Sequence, residues 1–221
     1  MPSGLGRDND TSEPSFSRVV SFPKIQMNQL STSDHWDREK VQQESLTAHL
    51  RAFYFPRESL FDLLDKHVQE NSSPIFVLGE SGIGKSAFLA NWEERFLRKN
   101  PKRAIVSHYS NGGLRETHSF PTLRKVMEKL NECLNLNQRI PDKKDNLQSE
   151  FARLLYLASK KSGAVIVFDG IVETILSDEK IDFKWFPQKI PQNISFIFAS
   201  AWFPEVPHFE ERGWGTLKID P

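Results

Sequence analysis

The residues with the clearest chemical purpose run from Gly79 to Ser86 and read Gly-Glu-Ser-Gly-Ile-Gly-Lys-Ser. Glycines at 79, 82 and 84 let the backbone turn tightly and approach a ligand closely. Successive N–H groups in such a turn converge into a nest for an anion. Lys85 adds an ammonium that suits β- and γ-phosphates, and the Ser86 hydroxyl suits Mg²⁺. The spacing G-x-x-x-x-G-K-S arises by chance in about one chain in a hundred of this length, and here a strand-like run precedes it and a helical pattern follows. The chemistry implied is binding of a nucleoside phosphate. Gly79, Glu80, Ser81, Gly82, Ile83, Gly84, Lys85, Ser86 and Ala87 are the expected contacts, with Lys85 also acting on the reacting phosphate.

A second element completes the set. Val165-Ile166-Val167-Phe168-Asp169 is an apolar strand that ends in a carboxylate. Ligands of open α/β sheets bind at the carboxyl ends of the strands, so Asp169 is expected to share Mg²⁺ with Ser86. Glu173 lies four residues further on and is the candidate base that orients an attacking water. No strand is followed by an Asn-Lys-x-Asp or Thr-Lys-x-Asp guanine reader, which favours ATP. The six histidines show no metal-binding spacing. The sole cysteine, Cys133, excludes a disulfide framework and a cysteine zinc site.

The surrounding elements must hold these residues in place. Residues 1–34 are rich in Ser, Pro, Asp and Asn and read as a disordered arm, in which Val19–Pro23 has some strand character. Residues 35–69 read as a helical lead-in: a helix from Trp36 to about Tyr54, stopped by Pro56, then one from Arg57 to Val68. The second carries Leu60, Leu63, Leu64 and Val68 as its apolar stripe. Residues 70–221 read as the phosphate-binding core. Its expected strands are Ile75–Leu78, Ala104–Tyr109, Ala164–Phe168, Ser195–Ala199 and Leu217–Ile219. Its expected helices are Lys85–Arg98, Pro121–Leu134 and Leu147–Lys160. Strands alternating with helices predict βαβ units and a parallel sheet.

Composition narrows the function classes. The 221 residues carry 29 basic and 29 acidic side chains. A net charge of zero gives no global field for nucleic acid or anionic membrane. No apolar run approaches the ~20 residues of a membrane helix, and no signal core begins the chain. A soluble cytoplasmic protein is expected.

Phe55-Pro56-Arg57-Glu58-Ser59-Leu60-Phe61-Asp62-Leu63-Leu64 resembles the box that precedes the P-loop in signal-transducing ATPases of the STAND class. Ile75–Trp92 resembles the P-loop segment of NACHT-type ATPases, especially the nephrocystin-like group. Phe168-Asp169-Gly170-Ile171-Val172-Glu173 resembles their Walker B, and Ser107-His108-Tyr109 is also similar. The resemblance implies a three-layer αβα sandwich with parallel strand order 5-1-4-3-2, and adenine near Tyr54–Arg57 with Arg57 as a contact. It implies ATP/ADP and Mg²⁺ as cofactors and other proteins as partners. Three departures point to slow or absent hydrolysis: Pro56 where the box has Gly, Val172 where the extended Walker B is acidic or amide, and Ser200 as the sole polar residue where many relatives have an Arg or polar sensor.

The expected function is an ATP-binding core of a signalling or scaffold switch. The alternatives are a nucleotide-binding interaction module without turnover, and a P-loop kinase. Against the kinase, Arg115 alone stands where an arginine-rich lid belongs. In the families resembled, helical and winged-helix regions and a repeat array follow. The chain is therefore expected to be the core of a larger switch, and oligomers are expected only with those regions.

Overall fold

A computed structural model of the chain describes residues 32–52, 54–70, 73–110, 119–142, 146–170 and 186–220. Two helices come first, α1 (Thr32–Ala52) and α2 (Glu58–Glu70). Then follow β1 (Ile75–Leu78), α3 (Lys85–Lys99), β2 (Ala104–Tyr109), α4 (Ser119–Cys133), α5 (Leu147–Lys160), β3 (Ala164–Asp169), β4 (Ile194–Ser200), α6 (Val206–Glu211) and β5 (Gly215–Lys218). The five strands form one sheet in the order β2-β3-β4-β1-β5, with every neighbouring pair parallel. This is the expected order 5-1-4-3-2, read from the other edge. The fold is an α/β, P-loop NTPase-like sandwich.

The three inner strands are buried along their whole length, which is why they read as unbroken apolar runs rather than alternating ones. Alternation sorts their side chains between two cores. Val77, Val165, Val167, Ile197 and Ala199 meet α2 and α3. Phe76, Ile166, Phe168, Phe196 and Phe198 meet α4, α5 and α6. The second core is aromatic: the Phe76 ring lies within 5.6 Å of Phe198, Phe203, Phe209 and Trp214, centroid to centroid.

Helices α3 and α5 each turn an apolar stripe to the core: Phe88, Trp92 and Phe96 of α3 are at 0% exposure, and Phe151, Leu154, Leu155 and Ala158 of α5 are buried. The stripe of α2 is turned relative to expectation. Phe61, Leu64 and Val68 face the core while Leu63 is 54% exposed. Phe61 wins that place because its ring reaches Phe88, at 5.1 Å. Cys133, at the end of α4, is exposed. Helix α6 was not expected, since it is short and holds Pro207. That proline sits in the first turn, where a missing N–H costs nothing.

Turn chemistry fixes the connections. After α5 the N–H groups of Lys161 and Gly163 both donate to the Ala158 carbonyl, and Gly163 has φ of +71°. A Cβ at Gly163 would lie 2.2 Å from the Asn193 carbonyl oxygen, so no other residue fits this turn into β3. Strand β2 is an outer strand, and α1 guards it. The Gln43 side-chain amide donates to the Tyr109 carbonyl at 2.9 Å and accepts the Tyr109 N–H at 3.1 Å, as a neighbouring strand would. Among the described residues no helix is long and apolar enough to cross a membrane.

Candidate functional site

The loop from Gly79 to Gly84 joins β1 to α3 at the carboxyl edge of the sheet. Strands on both sides anchor its start. The Gly79 N–H donates to the Ser200 carbonyl at 3.3 Å, and the Ile219 N–H donates to the Leu78 carbonyl at 2.7 Å. A Cβ on Gly79 would stand 2.8 Å from the Ile219 carbonyl oxygen. Gly82 and Gly84 have φ of +81° and +97°, a region that side chains strain to reach. Gly84 is the N-cap of α3, and no side chain caps that helix. The first-turn N–H groups therefore lack a side-chain acceptor at the positive end of the helix dipole.

Lys85 folds back over the loop. Its Nζ donates to the Gly79 and Glu80 carbonyls, both at 2.9 Å. The ammonium thus lies over the loop, where its charge complements an anion. Ser86 and Ala87 follow in the first turn of α3 and are half-buried. A cavity of about 540 Å³ opens beside the loop, lined by Gly79, Glu80, Ser81 and Ile83, by Ala201 and Trp202 after β4, and by the end of β5. Arg57 reaches the same rim, since its Nη1 donates to the backbone carbonyl of Asp220, a residue of that lining. The Tyr54 hydroxyl is buried and has no hydrogen-bond partner among the described residues. Burial raises its pKa, and the nearby Arg57 opposes that shift.

Asp169 ends β3 on the same edge and is buried. It stands in register with Tyr109 on one side and Ala199 on the other. One strand, β4, separates it from β1, which is roughly 10 Å at ordinary strand spacing. Ser200 ends that intervening strand in register with Leu78 and is buried. The fold therefore gathers the glycine loop, Lys85, Ser86, Arg57, Asp169 and Ser200 at one edge. Glu173 lies outside the described residues, as do Val172, Arg115 and the segment 19–23.

Sequence reasoning missed a buried polar cluster next to this edge. Glu93, 6% exposed, accepts the Ser107 hydroxyl and the Tyr109 hydroxyl on the same oxygen, each at 2.6 Å. The one hint was a Glu directly after Trp92 on the core face of α3. Burial raises the Glu93 pKa, while the two hydroxyls oppose that shift. Burial and the neighbouring Glu93 also push the Tyr109 hydroxyl well up. The folded chain thus holds the Glu93 proton more tightly than the unfolded chain does. The stability this group contributes is complete below the ordinary carboxylate range and is lost as pH rises through the raised folded value. Glu93→Gln keeps an acceptor for both hydroxyls and removes that loss. Its melting temperature relative to wild type is expected to climb between about pH 4 and about pH 8. Melting curves that stay parallel across this range would contradict it.

The arrangement defines a sandwich of the P-loop NTPase type with a complete G-x-x-x-x-G-K-S loop at its edge. No family model matches the chain. Among curated proteins it is similar to human nephrocystin-3, 27% identical over 194 residues that span 83% of this chain and 14% of that protein. It is also similar to human putative tetratricopeptide repeat protein 41, 25% identical over 65% of this chain and 12% of that one. A TPR repeat-containing protein of Dictyostelium discoideum is 23% identical over 58% of this chain and 10% of its own length. The chain thus spans little more than a tenth of the length of these relatives. Among solved structures, the Drosophila ORC bound to GC-rich DNA and Cdc6 aligns with 95% of this chain and 37% of its own, at 14% identity and a TM-score of 0.40.

Proposed function

We propose that the chain binds Mg·ATP in the loop Gly79–Ser86 as the nucleotide-binding core of a signalling or scaffold switch, of the STAND class and nephrocystin-like type, and hydrolyses it slowly or not at all. The observation that carries this reading is the uncapped N-terminus of α3, preceded by two left-handed glycines and covered by the Lys85 ammonium. These features fit a polyphosphate. Backbone N–H groups and one cation converge there, and a Cβ at either glycine would demand a strained backbone. Residues Gly79 to Ala87 cradle the phosphates, Ser86 and Asp169 hold Mg²⁺, and Arg57 stands on the adenine side. Mg²⁺, when bound, would supply positive charge to offset that of the phosphates.

The relatives bear names that denote tetratricopeptide repeats or nephrocystin, which supports a role among other proteins in a longer molecule. Glu173 is the residue to hold and orient water. In the switch reading, ATP and ADP differ in what they hold together at this edge.

Calorimetry with ATP, with and without Mg²⁺, tests the reading, alongside a phosphate-release assay with and without acceptors. Asp169→Asn is expected to remove the Mg²⁺ enhancement of binding while binding of free ATP persists. Glu173→Gln is expected to bind ATP as wild type does and to slow any measurable release. Slow release without acceptor supports a switch. Tight binding with no release supports an inactive interaction module, and phosphorylation of an acceptor would show a kinase. Absence of ATP binding by the wild-type chain would overturn the proposal.

A further inference from the structure

The glycine loop supplies partners for phosphates and leaves open where the rest of a nucleotide goes. The cavity of about 540 Å³ borders that loop through Gly79, Glu80, Ser81 and Ile83, while Lys85 and Ser86 are not part of its wall. It therefore adjoins the phosphate nest without coinciding with it. Its volume falls within the range of about 300–1,000 Å³ that small-molecule sites span. The wall facing the loop is Ala201 and Trp202, which leave the end of β4. The residues on either side of this pair are tied down. Ser200 is buried, and its carbonyl accepts the Gly79 N–H at 3.3 Å. Phe203 is buried with its ring edge-on to that of Phe76, at 5.4 Å between centroids. With both neighbours anchored, the path of Ala201 and Trp202 past the loop is set.

Phe203 turns inward and Trp202 turns outward, 61% exposed, whereas Trp92 and Trp214 are buried. An indole left in water forgoes the large apolar burial that such a ring can gain. Here it is held in the wall of a cavity that touches a phosphate-binding loop. Ile83 and Ile219 add apolar surface to the same wall, and Arg57 reaches its rim through the Asp220 carbonyl. Of the parts of a nucleotide, the base is the one that gains most from an indole face, because stacking asks only for a π-face and no particular edge. Ribose and phosphates are strongly hydrated, and the phosphates already have the loop. We propose that Trp202 is the base platform of this site: with its phosphates in the loop, ATP lays its purine ring on the Trp202 indole. This assignment rests on the nucleotide reading and adds to it the residue that distinguishes a nucleotide from a bare polyphosphate.

The test uses the full chain and calorimetry, with ATP and inorganic tripolyphosphate as the two probes, each in the presence of Mg²⁺. The wild type is expected to bind ATP at least fivefold more tightly than tripolyphosphate, the low end of what one base–aromatic stack contributes. Trp202→Ala is expected to weaken ATP at least fivefold and to leave tripolyphosphate unchanged, so that the preference disappears. Trp202→Phe keeps a ring and is expected to restore most of it. The side chain is largely in solvent, so neither variant should alter the fold, and circular dichroism checks this. As a measurement on the unaltered chain, saturating ATP is expected to quench part of the tryptophan emission and tripolyphosphate to leave it unchanged. A wild type that binds both probes equally, or a Trp202→Ala variant that keeps the preference for ATP, would overturn the platform while the phosphate-binding loop stands. An indole that serves only to dock another protein segment would give that result. A wild type that binds neither probe would overturn the nucleotide reading and this assignment with it.

Discussion

Trp92→Ala is expected to lower the unfolding free energy by about 3–5 kcal/mol, the cost of removing a large aromatic from a closed core. Trp92 is fully buried on α3, with its ring 4.9 Å from that of Phe96. Its indole N–H donates to Asp65 Oδ1 on α2 at 2.8 Å. Asp65 is itself only 8% exposed and also receives Arg95 at 2.8 Å and Lys99 at 3.2 Å on its other oxygen. Truncation therefore leaves a cavity and also strips the donor from one oxygen of a buried carboxylate. Trp92→Phe separates the two costs, since it fills most of the volume and lacks only the N–H. It is expected to cost about 1–3 kcal/mol. Urea unfolding followed by circular dichroism measures both. Whole domains are stable by only about 5–15 kcal/mol, so the alanine variant should show a large shift in midpoint. A loss below about 1 kcal/mol for Trp92→Ala would mean that α2 and α3 do not pack as described.

Lys85→Ala is expected to weaken Mg·ATP at least tenfold, or about 1.4 kcal/mol, because a charge-assisted contact to phosphate is lost. Stability should respond far less. Lys85 is half-buried, and its donors go to two loop carbonyls that water can reach in its absence. Each such bond is worth about 0.5–1.5 kcal/mol net, and less where solvent replaces it. The pairing of a large affinity loss with a small shift in melting temperature distinguishes a ligand contact from a folding contact. Equal affinity of mutant and wild type by calorimetry would sink the assignment.

The parts of this fold that were legible in the sequence are those specified by contiguous residues. Strands β1 and β3 were legible because their apolar runs are unbroken or end in a marked residue such as Asp169. The glycine loop was legible because every residue that shapes it lies within eight positions. Strand β5 was placed two residues late. It lies at a sheet edge, so only Leu217 is buried within it and Gly215 and Thr216 give no apolar signal. The face of α2 was drawn through Leu63 because spacing alone does not say which of two overlapping stripes meets an aromatic partner. The cluster of Glu93, Ser107 and Tyr109 was not legible, since its members come from a helix and a strand and each reads as ordinary by itself. Tryptophans carry little signal either way: Trp92 and Trp214 are buried, while Trp202 is 61% exposed beside the loop.

The Gln43 amide that covers Tyr109 has a consequence for handling and for growth of the sheet. The Gln43 side chain stands where a sixth strand would dock and Lys129 occupies the Ser107 carbonyl beside it, so the barrier against intermolecular sheet extension at that edge rests on a few side-chain hydrogen bonds. Cutting the chain back to Glu58, or replacing Gln43 by Ala, leaves the Tyr109 amide open as a template for another molecule's strand. Concentrated samples of either variant would then seed ordered aggregates from a natively folded sheet, with a lag that shortens as concentration rises. The intact chain at the same concentration would remain dispersed.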